Sequence, residues 1–165
     1  MRDARRKPVA SLRATALRML ARRDCPRAAL EARLVARGGE PGEVTRTLDD
    51  LERLGYLSDA RFAQMLVAKK ADRYGKRAIA QALRERRVDP SVAREALAAL
   101  GAGDDTAGAK AVWARRFHAQ PNDERERARQ IRFLMARGYS LQVALAVVGR
   151  AIGAADDGGE GEADD

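Results

Sequence analysis

The feature that most constrains this chain is a short pattern that comes round three times. Leu34-x-x-x-Gly38, Leu83-x-x-x-Arg87 and Leu134-x-x-x-Gly138 lie 49 and 51 residues apart, and Arg37, Arg86 and Arg137 each stand one place before the last residue. Val44, Val92 and Val143 follow a few positions on, each near the opening of another apolar-periodic stretch. A recurrence at about 50 residues is the signature of small units stacked in series, each burying its apolar face with its neighbours' help. Composition agrees. With 34% charged and 4% aromatic residues, the chain is rich in long unbranched side chains that lose little freedom in a helix. Three Tyr, three Phe and one Trp would fill the core of one large globule thinly.

Local signals divide each unit into three helices. In the first, Leu12, Ala16, Met19 and Leu20 follow the helical period, from Val9 onward. Asp24-Cys25-Pro26 opens a second helix, with Cys25 at the cap and Pro26 at the first helical position; Leu30 and Leu34 mark its buried face and Gly38-Gly39 stop it. Pro41 starts a third, with Val44, Leu48, Leu51 and Leu54 inward. The joint Leu54–Ala63 then carries a C-capping glycine (Gly55), an apolar residue to fold back (Tyr56 or Leu57), an N-cap (Ser58) and a first-turn carboxylate (Asp59). Phe62, Met65 and Leu66 begin the next apolar face.

The second unit repeats the scheme. One helix runs from Asp59 to about Tyr74 and is ended by Gly75, and another runs from Lys76 to about Arg87 over Ile79 and Leu83. The last follows Asp89-Pro90 over Val92, Ala96, Leu97 and Leu100. In the third unit, Asp104-Asp105-Thr106 leads to Ala109, Val112, Trp113 and Phe117. Asp123, Glu124 and Glu126 open a helix over Ile131, Leu134 and Met135, and Ser140 caps one over Val143, Ala144, Val147, Val148 and Ile152. The expected fold class is all-α, three tandem three-helix repeats forming an elongated, curved helical array. Its divisions are a basic N-terminal arm at 1–8, repeats at 9–57, 58–101 and 102–153, and a disordered acidic tail at 154–165.

Catalytic groups are not visible in this pattern. Enzymes bring together acids, bases and nucleophiles, whereas this chain has one His (His118) and one Cys (Cys25) with no companion for either. No phosphate-cradling Gly-rich loop and no metal-ligand spacing occurs, so no cofactor and no metal are expected, and no apolar run reaches the length of a membrane span. The lone Cys excludes an internal disulfide, and the chain reads as cytoplasmic.

Charge is the informative property. The tail holds six acids and no base, which leaves residues 1–153 with 32 basic against 18 acidic groups, a net of +14. Such a body attracts polyanions: nucleic acid, or an acidic protein surface. Candidate contact residues are Arg61, Lys69, Lys70, Arg73, Lys76, Arg77, Arg84 and Arg87 in the middle unit and Arg125, Arg129 and Arg132 in the third, set at spacings that share helix faces.

Gly55-Tyr56-Leu57-Ser58-Asp59-Ala60-Arg61-Phe62-Ala63 resembles the hallmark of the RecX family, bacterial regulators of the RecA recombinase. Arg73-Tyr74-Gly75-Lys76-Arg77-x-Ile79-x-x-x-Leu83, Pro26-Arg27-Ala28-Ala29-Leu30-x-x-x-Leu34 and Arg137-Gly138-Tyr139-Ser140 resemble further family motifs, and together they cover roughly residues 9–152. Two departures stand out: Cys25 where a Ser or Thr cap is usual, which should weaken that helix start, and Arg87 where Gly is usual, so that this turn could close differently. The resemblance implies three tandem three-helix repeats. It also implies a monomeric, non-enzymatic modulator, as a rule an inhibitor, that binds in the groove of the RecA–single-stranded DNA filament and regulates recombination and the SOS response. Single-stranded DNA would be met directly or through RecA. The alternative is a helical module that binds nucleic acid directly.

Overall fold

Helix capping and apolar period are the local signals behind most elements of the computed structural model, which describes residues 11–101 and 103–149. The basic arm, Val9, Ile152 and the acidic tail lie outside the described residues. Among the described residues there are nine helices: α1 Leu12–Arg22, α2 Arg27–Val35, α3 Pro41–Arg53, α4 Asp59–Ala71, α5 Lys76–Glu85, α6 Pro90–Ala98, α7 Asp104–Ala114, α8 Glu124–Ala136 and α9 Leu141–Val148.

Three apolar clusters form. One is built on Ala16, Leu30, Leu34, Val44, Leu48, Leu51 and Leu57, the second on Phe62, Ala63, Leu66, Val67, Ile79, Leu83, Val88 and Ala96, and the third on Ala109, Val112, Ile131, Leu134, Tyr139, Ala144 and Val148. Contacts divide the chain into two compact units. Unit 1 comprises the described residues to Lys70 with Ile79–Leu100; unit 2 comprises Ala71–Ala78 with the described residues from Gly101.

The threefold pattern has a common physical cause. In each case an N–H just beyond the helix reaches back five residues to a leucine carbonyl: Gly39 to Leu34 at 3.1 Å, Val88 to Leu83 at 3.2 Å, Tyr139 to Leu134 at 3.2 Å. A second bond joins Gly38 to Val35 at 2.8 Å, Arg87 to Arg84 at 2.9 Å and Gly138 to Met135 at 2.9 Å. This paired closure needs a left-handed residue, and Gly38 (φ 89°), Arg87 (φ 57°) and Gly138 (φ 86°) supply it. The turn at Arg87 therefore closes like the other two, with a side chain where the backbone favours glycine.

Several sequence expectations need correction. Cys25 is not a cap: its side chain is buried in the first core, and Pro26 is the N-cap of α2, with no side-chain bond of its own. The missing cap comes from 32 residues away, where Asp59 Oδ1 accepts the Arg27 N–H at 2.7 Å. Ser58 Oγ accepts from the Arg61 N–H at the start of α4, which leaves the Asp59 carboxylate free for this long-range bond. Leu54, Met65 and Met135, expected inward, are 44%, 41% and 41% exposed. At the joint it is Leu57 that folds into the core, while Tyr56 faces solvent. Helix α4 also ends at Ala71, three residues short of Tyr74.

Gly75 serves a purpose other than stopping a helix. Its N–H donates to the Arg137 carbonyl at 3.0 Å and the Arg77 N–H donates to the Gly138 carbonyl at 3.2 Å, so two backbones run in contact within unit 2. A Cβ at Gly75 would lie 2.5 Å from the Gly138 oxygen and 2.6 Å from the Tyr139 nitrogen. Backbone cannot yield as a flexible side chain can.

Two stability outcomes follow. Arg87→Gly removes the left-handed penalty of about 1–2 kcal/mol and adds back about half of it as unfolded-state entropy. Its urea-unfolding midpoint should rise, by about 0.5–1 kcal/mol in stability. Gly75→Ala should cost about 1–3 kcal/mol from overpacking against backbone, seen as a lower midpoint in the same assay.

Candidate functional site

Because helix ends attract guanidinium groups and carboxylates alike, the first question about each cation is whether the fold already uses it. Arg61 is used. Its guanidinium donates to the Gly55 and Tyr56 carbonyls at 3.1 and 3.0 Å and meets Asp24 at 3.4 Å, closing the end of α3. Lys76 is used as well: Nζ donates to the Gly101 carbonyl at 3.2 Å, and its backbone N–H is capped by Asp105 Oδ1 at 3.1 Å. Lys70 lies half-buried in the last turn of α4. Arg84 is exposed and shares a bond with Gln81 on its own helix. Arg77 and Arg87 are exposed, and among the described residues their side chains make no hydrogen bond or ion pair.

The remaining candidates fall into three places. In unit 1, Lys69 rims a groove with Arg23, Arg33 and Arg86, over a floor of Cys25, Pro26, Phe62 and Leu66; the cavity is about 220 Å³. Exposed Met65 lies along it, and Asp24 is its acid. Burial pushes the Cys25 thiol above its ordinary value, so it behaves as an inert apolar group in that floor.

In unit 2, Arg125, Arg129 and Arg132 line one shallow depression together with Asp123 and Glu126. Within that stripe Arg129 is engaged: it pairs with Glu126 at 3.4 Å and packs over the Phe117 ring at 5.6 Å. Asp123 is meanwhile occupied as the cap of α8, accepting from Glu126 N–H at 2.6 Å.

The third place is a pocket of about 330 Å³ lined by Arg73, Arg115, Arg116, Arg137, Val112 and Phe133. Four guanidiniums meet here, and among the described residues no carboxylate lines the wall. Arg73 comes from the connection after α4, Arg115 and Arg116 from the end of α7, and Arg137 from the end of α8. Arg137 lies over the Phe133 ring at 5.0 Å, Phe133 stands edge-on to Phe117 at 5.2 Å, and Arg115 donates to the Asp72 carbonyl at 3.3 Å. Tyr139 is buried nearby; burial, then Asp105, pushes its hydroxyl up, with Arg137 and Arg115 opposing.

Only Arg73 in this pocket and Lys69 in the unit 1 groove were legible as candidates. Arg23, Arg33, Arg115, Arg116 and Arg137 were missed because the chain brings them together from separate elements. One local signal was available: Arg137 sits four residues after Phe133, the helical spacing that stacks a cation on a ring. Among the described residues no group of three or more His, Cys, Asp or Glu could hold a metal ion, and no helix is long and apolar enough to cross a membrane.

Comparison with known proteins agrees with this architecture. Family models described as RecX, second three-helix domain, and RecX, third three-helix domain, match residues 58–97 and 104–148. The chain is 39% identical over 145 residues to the regulatory protein RecX of Leptothrix cholodnii, covering 88% of this chain and 92% of that one. It is 41% identical over 150 residues to that of Ralstonia nicotianae, covering 91% and 94%. A solved structure of RecX from Lactobacillus salivarius superposes with a TM-score of 0.75 at 17% identity, over 83% of this chain and 92% of that one, which speaks for the fold alone. With two family models matching in this order and relatives this similar over nearly their whole length, the chain belongs to the RecX family of regulatory proteins.

Proposed function

We propose that the protein is a non-catalytic, cytoplasmic regulator that acts as a monomer, binds the RecA–single-stranded DNA filament and restrains RecA, and with it recombination and the SOS response. The observation that carries this reading is the unit 1 groove. An apolar floor with a cationic rim fits a protein surface of apolar anchors ringed by acids, the usual division of labour in protein interfaces. We assign the RecA contact to this groove, with Lys69 its representative among the sequence candidates. Helices α2 and α4 set the groove's width, and the Asp59 cap ties α2 to the start of α4. A regulator of this kind needs a held shape and charge complementarity, and it needs no reactive group.

The unit 2 pocket favours a second reading, direct binding to nucleic acid. Comparing affinity for naked and RecA-coated single strands separates the two, because direct binding gains nothing from the coat.

The decisive measurement is DNA-dependent ATP hydrolysis by RecA with and without this protein. Stoichiometric amounts should slow hydrolysis, and an unchanged rate across a range of salt would overturn the proposal. Arg33→Glu with Lys69→Glu should weaken binding to the RecA-coated strand by about tenfold or more, as like-charge reversal at an interface does, with the helical circular dichroism unchanged.

A further inference from the structure

The Arg73, Arg115, Arg116 and Arg137 pocket has properties that ordinary structural use does not explain. Guanidiniums at helix C-termini are common because the unpaired carbonyls there are negative, and the ends of α7 and α8 each justify one such cation. Four exceed that need. Arg115 is occupied by the Asp72 carbonyl and Arg137 by the Phe133 ring, whereas Arg73 makes no hydrogen bond or ion pair among the described residues. Arg116 approaches only the Phe117 ring, at 5.9 Å. Among the described residues no carboxylate lines the pocket to offset this charge.

We infer that this pocket is an anion site that takes a phosphodiester of a single-stranded nucleic acid. The chemistry selects that ligand. Guanidinium forks match the paired oxygens of a phosphate, and here they come from three segments, so the oxygens can be met from several sides. Beside them the Arg137 guanidinium lies 5.0 Å from the centre of the Phe133 ring, a cation–ring pair of the kind against which an unpaired base stacks. An acidic peptide would use the charge but leave that cation–ring pair idle. The inference rests on the proposed filament function only in that DNA would be within reach; it divides the labour so that unit 1 meets protein and unit 2 meets the strand.

The test is fluorescence anisotropy of a labelled oligothymidylate, naked, titrated with the full chain at several salt concentrations. Arg73→Ala with Arg116→Ala removes two exposed side chains that make no hydrogen bond or ion pair among the described residues. Affinity should fall roughly tenfold at low salt, and the slope of log K against log salt should become shallower by about 1.4. Arg125→Ala with Arg132→Ala, the same charge removed elsewhere in the unit, should cost clearly less. Equal losses from the two double variants would mean diffuse attraction, and no naked-strand binding by the wild type would mean no site; either result overturns the inference. Loss of binding to the RecA-coated strand alone would assign the pocket to an acidic protein segment and overturn it too. If the wild type leaves RecA's ATP hydrolysis unchanged but the pocket variant loses oligothymidylate, the filament reading fails and this inference stands. If the wild type slows hydrolysis and the variant binds the strand normally, the reverse holds.

Discussion

Two carboxylate-to-backbone bonds hold the plan of this chain. Asp59, at the start of α4, accepts the first N–H of α2, and Asp105, at the start of α7, accepts the first N–H of α5. Each links the second helix of one three-helix set to the opening of the next. A helix start leaves several donors unpaired, and a charged acceptor there is worth more than a neutral one. Arg27, held by Asp59 at its backbone, reaches Asp49 and Glu52 with its guanidinium, both at 2.6 Å, and so ties α2 to α3. Helix α8 differs. Its donors are met locally, by Asp123.

Much of the fold could be read directly. The leucine–glycine recurrence, the Asp89-Pro90 start and the Ser140 cap are local signals, and each lies where helix physics puts it. What could not be read depended on residues far apart in sequence. Nothing near Pro26 announces that its helix is capped from residue 59. Gly75 is next to a helix end and so looks like a stop, although the reason for glycine there is the backbone of Gly138. Periodicity gives the direction of an apolar stripe but not its width, which is why Leu54, Met65 and Met135 were placed inward when they lie on its margin.

The candidate site divides along the same line. A count of basic residues finds the charge and cannot say which part of it is spent. Arg61 and Lys76 carry charges that the fold uses on its own carbonyls, while Arg115, Arg116 and Arg137, scattered in sequence, converge with Arg73. Excess of guanidinium over carboxylate at one place, which only the folded chain defines, is the better guide to where an anion would go.

The third core contains a polar residue where its counterparts are apolar. Leu30, Ile79 and Gln130 each precede the shared leucine by four positions and all are fully buried. Gln130 is matched by its surroundings: Trp113 Nε1–H donates to its Oε1 at 2.8 Å and its Nε2 donates to the Ala119 carbonyl at 3.4 Å. The consequence concerns fidelity during folding. Three similar leucine-lined sockets in one chain invite a helix to enter the wrong one, a characteristic failure of repeated sequences. In either of the other sockets Gln130 would face aliphatic side chains and forfeit about 1–3 kcal/mol as an unpaired amide. The Trp113–Gln130 pair thus works as an address, matching α8 to the core that also holds α7.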